Sequence, residues 1–198
     1  MKTQSKKRKV PYGMAREDIA AAARDLFYEQ GLATGLDEIL KRADVSKPTF
    51  YHHFGSKEEL ESQYLTAQAE FLRTSVDRIA GKSRDACQFI RRWMEFIRRR
   101  ASSPTFTGCP LGNFAIEAKS AHNARVLREF GLSIEKLEDT FKAKGIQATR
   151  ARELAPLIFM IYEGALLMCS ATEERSHLSR ATELMVRLVR EKKSPTLK

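Results

Sequence analysis

Apolar positions recur every three or four residues along almost the whole chain, the spacing of amphipathic helices, and nowhere alternate as in a strand. Ile19, Ala22, Ala23, Leu26 and Phe27 mark a first helix over 14–30, with Gly31 as its stop. Leu36, Ile39, Leu40 and Ala43 form the stripe of a second helix, for which Thr34 and Asp37 read as a capping box. Ser46 caps a short third helix over 47–54, and Ser56 with Glu59 opens a long fourth running towards Arg78. Phe89, Ile90, Trp93, Phe96 and Ile97 give one apolar face over 84–101, followed by a breaker-rich link over 102–110. A short helix over 112–118 then leads to one over 122–144, striped by Leu127, Phe130, Ile134, Leu137 and Phe141. The segment 148–171 is apolar almost all round, and 176–192 carries Leu178, Ala181, Met185 and Leu188 on one face. The fold class is therefore all-α, with no internal repeat.

Composition agrees with this pattern. The 198 residues suffice for one large or two small domains, and 42% of them are apolar, which argues against wholesale disorder. Glycine and proline are scarce. A formal charge of +10 points to an anionic partner, nucleic acid before a membrane surface. The distribution moderates that inference. Residues 1–10 hold five cations and no acid, but residues 11–60 hold six cations against nine acids. The basic run Lys6-Lys7-Arg8-Lys9 resembles a nuclear localisation signal only as any short basic run does. The chain reads as a flexible basic arm over 1–13, a DNA-binding domain over 14–60, and a ligand-binding and dimerisation domain over 61–198.

Cys87, Cys109 and Cys169 are odd in number and form no CxxC, which fits a reduced cytosol. The N-terminus has no signal-peptide pattern. The most apolar stretch, residues 154–169, contains Pro156 and Glu163 and is shorter than the ~20 residues of a bilayer span. The expected setting is cytoplasmic, without a membrane partner. No metal-ligand cluster, phosphate loop or nucleophile elbow is present, so neither a metal, a cofactor nor an enzyme is expected.

The candidate chemistry lies in the short third helix. Two short helices joined by a tight turn, with a third packed behind them, make a helix-turn-helix. Phe50 and Phe54, one turn apart, would anchor its inner face. Pro48 and His52 then point outward, flanked by Lys47 and Tyr51 on one side and Thr49 on the other. An ammonium, a phenol, hydroxyls and an imidazole suit phosphates and base edges in a major groove. Lys57, at the start of the fourth helix, is placed to hold a phosphate. By spacing alone, the same residues also fit a solvated surface helix.

The run Ala33-Thr34-Gly35-Leu36-Asp37-Glu38-Ile39, then Val45-Ser46-Lys47-Pro48-Thr49-Phe50-Tyr51-His52-His53-Phe54 and Ser56-Lys57-Glu58-Glu59-Leu60, resembles the signature of TetR-family repressors. The resemblance covers residues 15–62. It implies an all-helical subunit of about nine helices, dimeric, with an N-terminal DNA reader and a variable ligand domain. By position, Lys47, Thr49, Tyr51, His52, His53 and Lys57 are the implied DNA contacts, with Thr34 touching the backbone. Asp44 stands where the family often has Gly, although Asp tolerates a left-handed turn. Leu40 stands where a smaller residue is common. The segment Gly108-Cys109-Pro110-Leu111-Gly112-Asn113 resembles the Gly-Cys-x-x-Gly-Asn segment of one subgroup, in some of whose relatives the cysteine answers electrophiles.

Two readings of Cys109 stand side by side. Just before a helix N-terminus its thiol pKa would fall; as a small core residue it would be inert. Trp93, Phe96, Phe114, Phe159 and Tyr162 are candidate walls of a ligand pocket, with Cys109, Asn113, Glu117 and Glu163 as its polar contacts. The arginine runs at 91–92 and 98–100 read as a solvated face. The last two helices are expected to pair with a second copy, because a helix apolar on all sides must be covered on all sides. The function predicted is a ligand-responsive regulator, a repressor that binds a palindromic operator as a homodimer and is released by a small-molecule inducer. The competing readings are a helical adaptor and a thiol-dependent enzyme, neither binding DNA.

Overall fold

The computed structural model describes residues 14–118 and 122–191. The basic arm over 1–13 and Lys192, the expected end of the last helix, lie outside the described residues. Those residues form nine helices and no strand. Contacts divide the chain between Thr66 and Ala67, within the fourth helix.

The first unit contains α1 (Ala15–Gln30), α2 (Leu36–Ala43), α3 (Lys47–His53) and the start of α4 (Lys57–Gly81). Ile19, Ile39, Phe50, Phe54, Leu60 and Leu65 are its fully buried centre. α1 ends at Gly31, whose φ of 84° suits a residue without a Cβ. α2 ends at Asp44, which takes the left-handed conformation at φ 52° and donates its N–H to the carbonyls of Leu40 and Lys41. The capping box expected at Thr34 does not form. Gly35 is the N-cap of α2 and offers no side chain, while Thr34 is buried and its hydroxyl donates to the Gly31 carbonyl at 2.8 Å. Asp37 is drawn instead to Lys47, 2.9 Å away.

The second unit comprises the rest of α4, α5 (Ala86–Arg100), α6 (Pro110–Glu117), α7 (Asn123–Ala143), α8 (Ala148–Thr172) and α9 (Ser176–Arg190). Asp85 caps α5 by accepting the Gln88 N–H at 2.7 Å, and this bond holds its carboxyl below the ordinary range. α8 packs on α7 and α9, and α9 also packs on α5.

The buried face of α7 differs from the expected stripe. Leu137 and Phe141 are buried, but Leu127 is 72% exposed, and Glu129, Ser133 and Thr140 complete the inner face. Each of these polar groups has a partner. Glu129 meets Arg73 at 2.8 Å, while the Ser133 and Thr140 hydroxyls donate to carbonyls one turn back.

α8 is longer than its apolar stretch suggested. At 25 residues, with a mean hydropathy of 1.7 over its best window, it is long and apolar enough to cross a membrane by length and composition. Its face from Ala151 through Ile158 and Tyr162 to Cys169 is buried in the second unit, the placement of a core helix. Met160, Leu167 and Met168 remain exposed on the other side.

Candidate nucleic-acid interface and effector cavity

α3 is a short helix made rigid by local chemistry. The Ser46 hydroxyl accepts the Thr49 N–H at 3.4 Å, and Pro48 sits in the first turn, where its missing N–H is not needed. Phe50 and Phe54 stack at 5.6 Å and are buried, which fixes the rotation of the helix. Lys47, Pro48, Tyr51 and His52 are consequently exposed, and Thr49 and His53 are half-buried. Tyr51 is 55% exposed, a large phenol held out to solvent while its ring edge meets Phe50 at 5.2 Å. The hydrogen bond and charge of Asp37 raise the pKa of Lys47 and hold its ammonium against the α2 carboxylate.

The two remaining expected contacts are differently placed. Lys57 is half-buried: its ammonium donates to the Leu32 carbonyl at 2.6 Å, pairs with Glu61 at 3.1 Å and lies over the Phe27 ring. It ties α4 to the turn after α1. Thr34, as described, braces the same turn. At the start of α4 the Ser56 hydroxyl accepts the Glu59 N–H, as expected, and Glu59 in return accepts the N–H of Gly55.

In the second unit the segment 108–113 resolves into separate physical tasks. Gly108 takes a φ of 102°, Cys109 is the N-cap of α6, and Pro110 occupies its first turn. Leu111 is buried, and the Asn113 amide donates to the Thr107 carbonyl at 2.8 Å, closing the preceding turn. Gly112 lies against Glu163 of α8, whose carboxylate also bonds the Cys109 sulfur.

Both sequence blocks match known families. Residues 19–62 match the bacterial regulatory proteins of the tetR family, and residues 86–184 match the C-terminal domain of LmrA/YxaF-like transcriptional regulators. The chain belongs to the TetR family of transcriptional regulators. It is 28% identical over 165 residues to the HTH-type transcriptional regulator LmrA of Bacillus subtilis, covering 79% of this chain and 87% of LmrA. It is 29% identical over 191 residues to the HTH-type regulator YxaF of the same organism, covering 91% of this chain and 97% of YxaF. A TetR transcriptional regulator from Chloroflexus aurantiacus superposes with a TM-score of 0.74 at 26% identity, covering 90% and 95% of the two chains.

In this TetR-family regulator the aromatic residues expected to wall a pocket do converge in part. Trp93 is fully buried and stacks on Tyr162 at 4.7 Å and on Phe89 at 5.8 Å; Phe159 adjoins Tyr162 and Phe130. Phe114 is buried edge-on to His122. Glu117 is exposed at the end of α6.

The Cys109 thiol does not follow the dipole argument. Burial first, and then the nearby Glu163 charge, push its pKa far up, against the weaker pull of the Gly112 and Leu111 N–H groups. The Tyr162 hydroxyl donates to its sulfur at 3.9 Å and is itself raised by burial. Burial also raises the Glu163 carboxyl to about 7, opposed by its bond from Cys109. Two buried polar atoms here, Trp93 Nε1 and Glu163 Oε1, have no hydrogen-bond partner.

A recess beside this cluster has room inside for roughly one water (≈ 30 Å³) and measures ≈ 350 Å³ when counted to its open mouth. It is lined by Gln68, Phe71, Leu72 and Ser75 of α4, by Phe96, Ile97 and Arg100 of α5, and by Cys109, Pro110, Leu111 and Tyr162. Of the nine expected pocket residues it contains Phe96, Cys109 and Tyr162. The α4 residues were not anticipated, although the 68, 71, 72, 75 spacing places them on one helical face.

Proposed function

We propose that this regulator is a repressor that binds a palindromic operator as a homodimer and leaves it when a small-molecule effector occupies the recess between α4, α5 and α8. The observation that carries the reading is the presentation of Lys47, Tyr51 and His52 on a short helix locked by Phe50 and Phe54. Tyr51 and His52 would address base edges, and Lys47 and Thr49 the flanking phosphates. His53 would contribute from the rim. Thr34 and Lys57 would act mainly by holding the turn that carries α2, with DNA contact through that turn's backbone.

The exposed Met160, Gly164, Leu167 and Met168 recur along one side of α8, and Leu184 is exposed on α9. Such an apolar face supports pairing with a second copy in a four-helix arrangement. An effector would join Phe96, Tyr162 and Cys109, with Trp93, Phe159, Phe114, Asn113 and Glu163 forming the surrounding shell and Glu117 outside it. The unmet Trp93 and Glu163 atoms supply one donor and one acceptor for it. The recess holds only about one water, so a bound effector would have to displace Phe71 or its helix. α4 is continuous from Lys57 to Gly81, so that displacement would reach the reader and alter the spacing of two readers in a dimer. Operator binding of this kind places the protein in the cytoplasm.

Selection of sites from random duplex DNA tests the reading, followed by anisotropy with wild type and Tyr51→Ala. An enriched two-fold palindrome, bound less tightly at high salt and by the variant, is expected. Folded protein that enriches no palindrome, alone or with effectors, would favour the adaptor.

A further inference from the structure

Three consecutive arginines end α5, and the structure treats them differently. Arg98 and Arg99 share Glu95, at 2.8 and 3.0 Å. Arg100 has no carboxylate partner among the described residues and instead lies over the rings of Phe71 at 5.0 Å and Phe96 at 5.9 Å. A second guanidinium, that of Arg78 on α4, lies 5.5 Å from the same Phe96 ring, and it too has no ion pair among the described residues. Two exposed guanidinium groups, neither with an ion pair among the described residues, therefore lie against one aromatic ring.

That ring stands at the wall of the recess, where, among the described residues, Arg100 is the only charged residue of the lining. The rest of the lining is apolar or neutral. Phe71 is 46% exposed, so its ring lies on the solvent side of the recess, where an entering ligand would push it and α4 aside.

We infer that the effector of this regulator is an amphipathic acid, its apolar or aromatic body in the recess between Phe71, Phe96 and Tyr162 and its anionic head between Arg78 and Arg100. The inference rests on the effector reading above and names the chemistry of the ligand. Guanidinium groups suit such a head because they pair with carboxylates bidentately and stay flat against aromatic faces. A cation of the same shape would meet two like charges and, among the described residues of the lining, no carboxylate. A neutral analogue would gain the apolar contact alone.

Calorimetric titration of the DNA-free protein with naphthylacetate, naphthylethanol and naphthylethylammonium separates these cases, because the three share one apolar body. The acid should bind at least about ten-fold more tightly than the alcohol, and the ammonium least, with the preference shrinking as salt rises. Arg100→Gln and the pair Arg78→Gln, Arg100→Gln should erase the preference for the acid while circular dichroism stays that of the wild type, and Arg100→Lys should restore part of it. Equal binding of acid and alcohol, a preference that survives the paired substitution, or no saturable binding up to roughly 1 mM would each overturn the inference. Operator release is scored separately on the selected palindrome. Acid binding without release would uphold this site and overturn the effector reading, whereas release by a neutral ligand with no acid preference would do the reverse.

Discussion

The backbone of Gly112 and the carboxylate of Glu163 approach so closely that a Cβ added to the glycine would stand 2.6 Å from Oε2. This contact joins α6 to α8 where Glu163 also meets Cys109. Gly112→Ala must turn the carboxylate aside and should cost about 1–2 kcal/mol of stability. In a Glu163→Ala background the same change should lose that cost and stabilise by up to about 1 kcal/mol, the usual gain of alanine over glycine in a helix. Denaturant unfolding of the four proteins at one concentration measures the coupling, and strictly additive losses would rule the contact out as their cause.

The same carboxyl sets a pH dependence. Its pKa is raised from 4.5 to about 7 by burial, so the native state retains a proton that the unfolded chain has already lost. The stability linked to that proton is complete below the unfolded value and disappears as pH climbs through about 7. The swing is at most about 3 kcal/mol. Glu163→Gln should flatten the stability profile between about pH 5 and 8 and be the more stable protein at the upper end. A wild-type profile that is level or rising over this window would contradict the assignment.

Cys109 is held as a buried thiol, and Cys169 is also buried, whereas Cys87 is half-buried. Iodoacetamide should therefore label Cys87 first, with Cys109 and Cys169 labelled only as the protein opens. Peptide mass spectrometry over a time course reads this directly. Early, selective loss of the Cys109 peptide would restore the reactive-thiol reading.

Lys57 and Tyr51 should separate folding from DNA contact. Lys57→Ala removes a half-buried ammonium bonded to Leu32 and Glu61 and should cost stability, about 1–3 kcal/mol, besides weakening binding. Tyr51→Ala should leave unfolding within about 0.5 kcal/mol of wild type and lower operator affinity by about ten-fold. Melting curves beside anisotropy distinguish the two. Unchanged stability in Lys57→Ala would return that residue to the list of direct phosphate contacts.

Leu167→Glu places a charge in the exposed apolar face of α8. It should convert a dimer into monomers without loss of helix content and reduce operator affinity, because one reader loses its partner. Light scattering during gel filtration gives the mass. A dimer that survives the charge would put the interface elsewhere.

The features legible in the sequence were those that obey short-range rules. Gly31 stops α1, Ser46 caps α3 and Asp44 turns left-handed after α2, because each depends only on backbone geometry within a few residues. The outward set on α3 was equally readable, since Phe50 and Phe54 fix the rotation of a seven-residue helix. Sequence reading failed where a neighbour in space competed with a neighbour in the chain. Lys47, on the next helix, captured Asp37, while Thr34 obeyed a rival local rule and gave its hydroxyl to the Gly31 carbonyl three residues back.

The larger reversals needed partners far along the chain. Glu129 belongs on the buried side of α7 only because Arg73, 56 residues earlier, meets it there, and Leu127 is left outside as a result. Arg100 looked like one more solvated arginine until Phe71, on another helix, came within 5.0 Å of it. Cys109 occupies the helix N-cap that lowers a thiol's pKa, yet burial beside Glu163 raises it, because in a dry interior the desolvation of a charge outweighs a helix dipole. Apolar period and capping chemistry decided which segments became helices. Which polar atoms were removed from water, and therefore which groups had to find one another, was decided only when those helices packed.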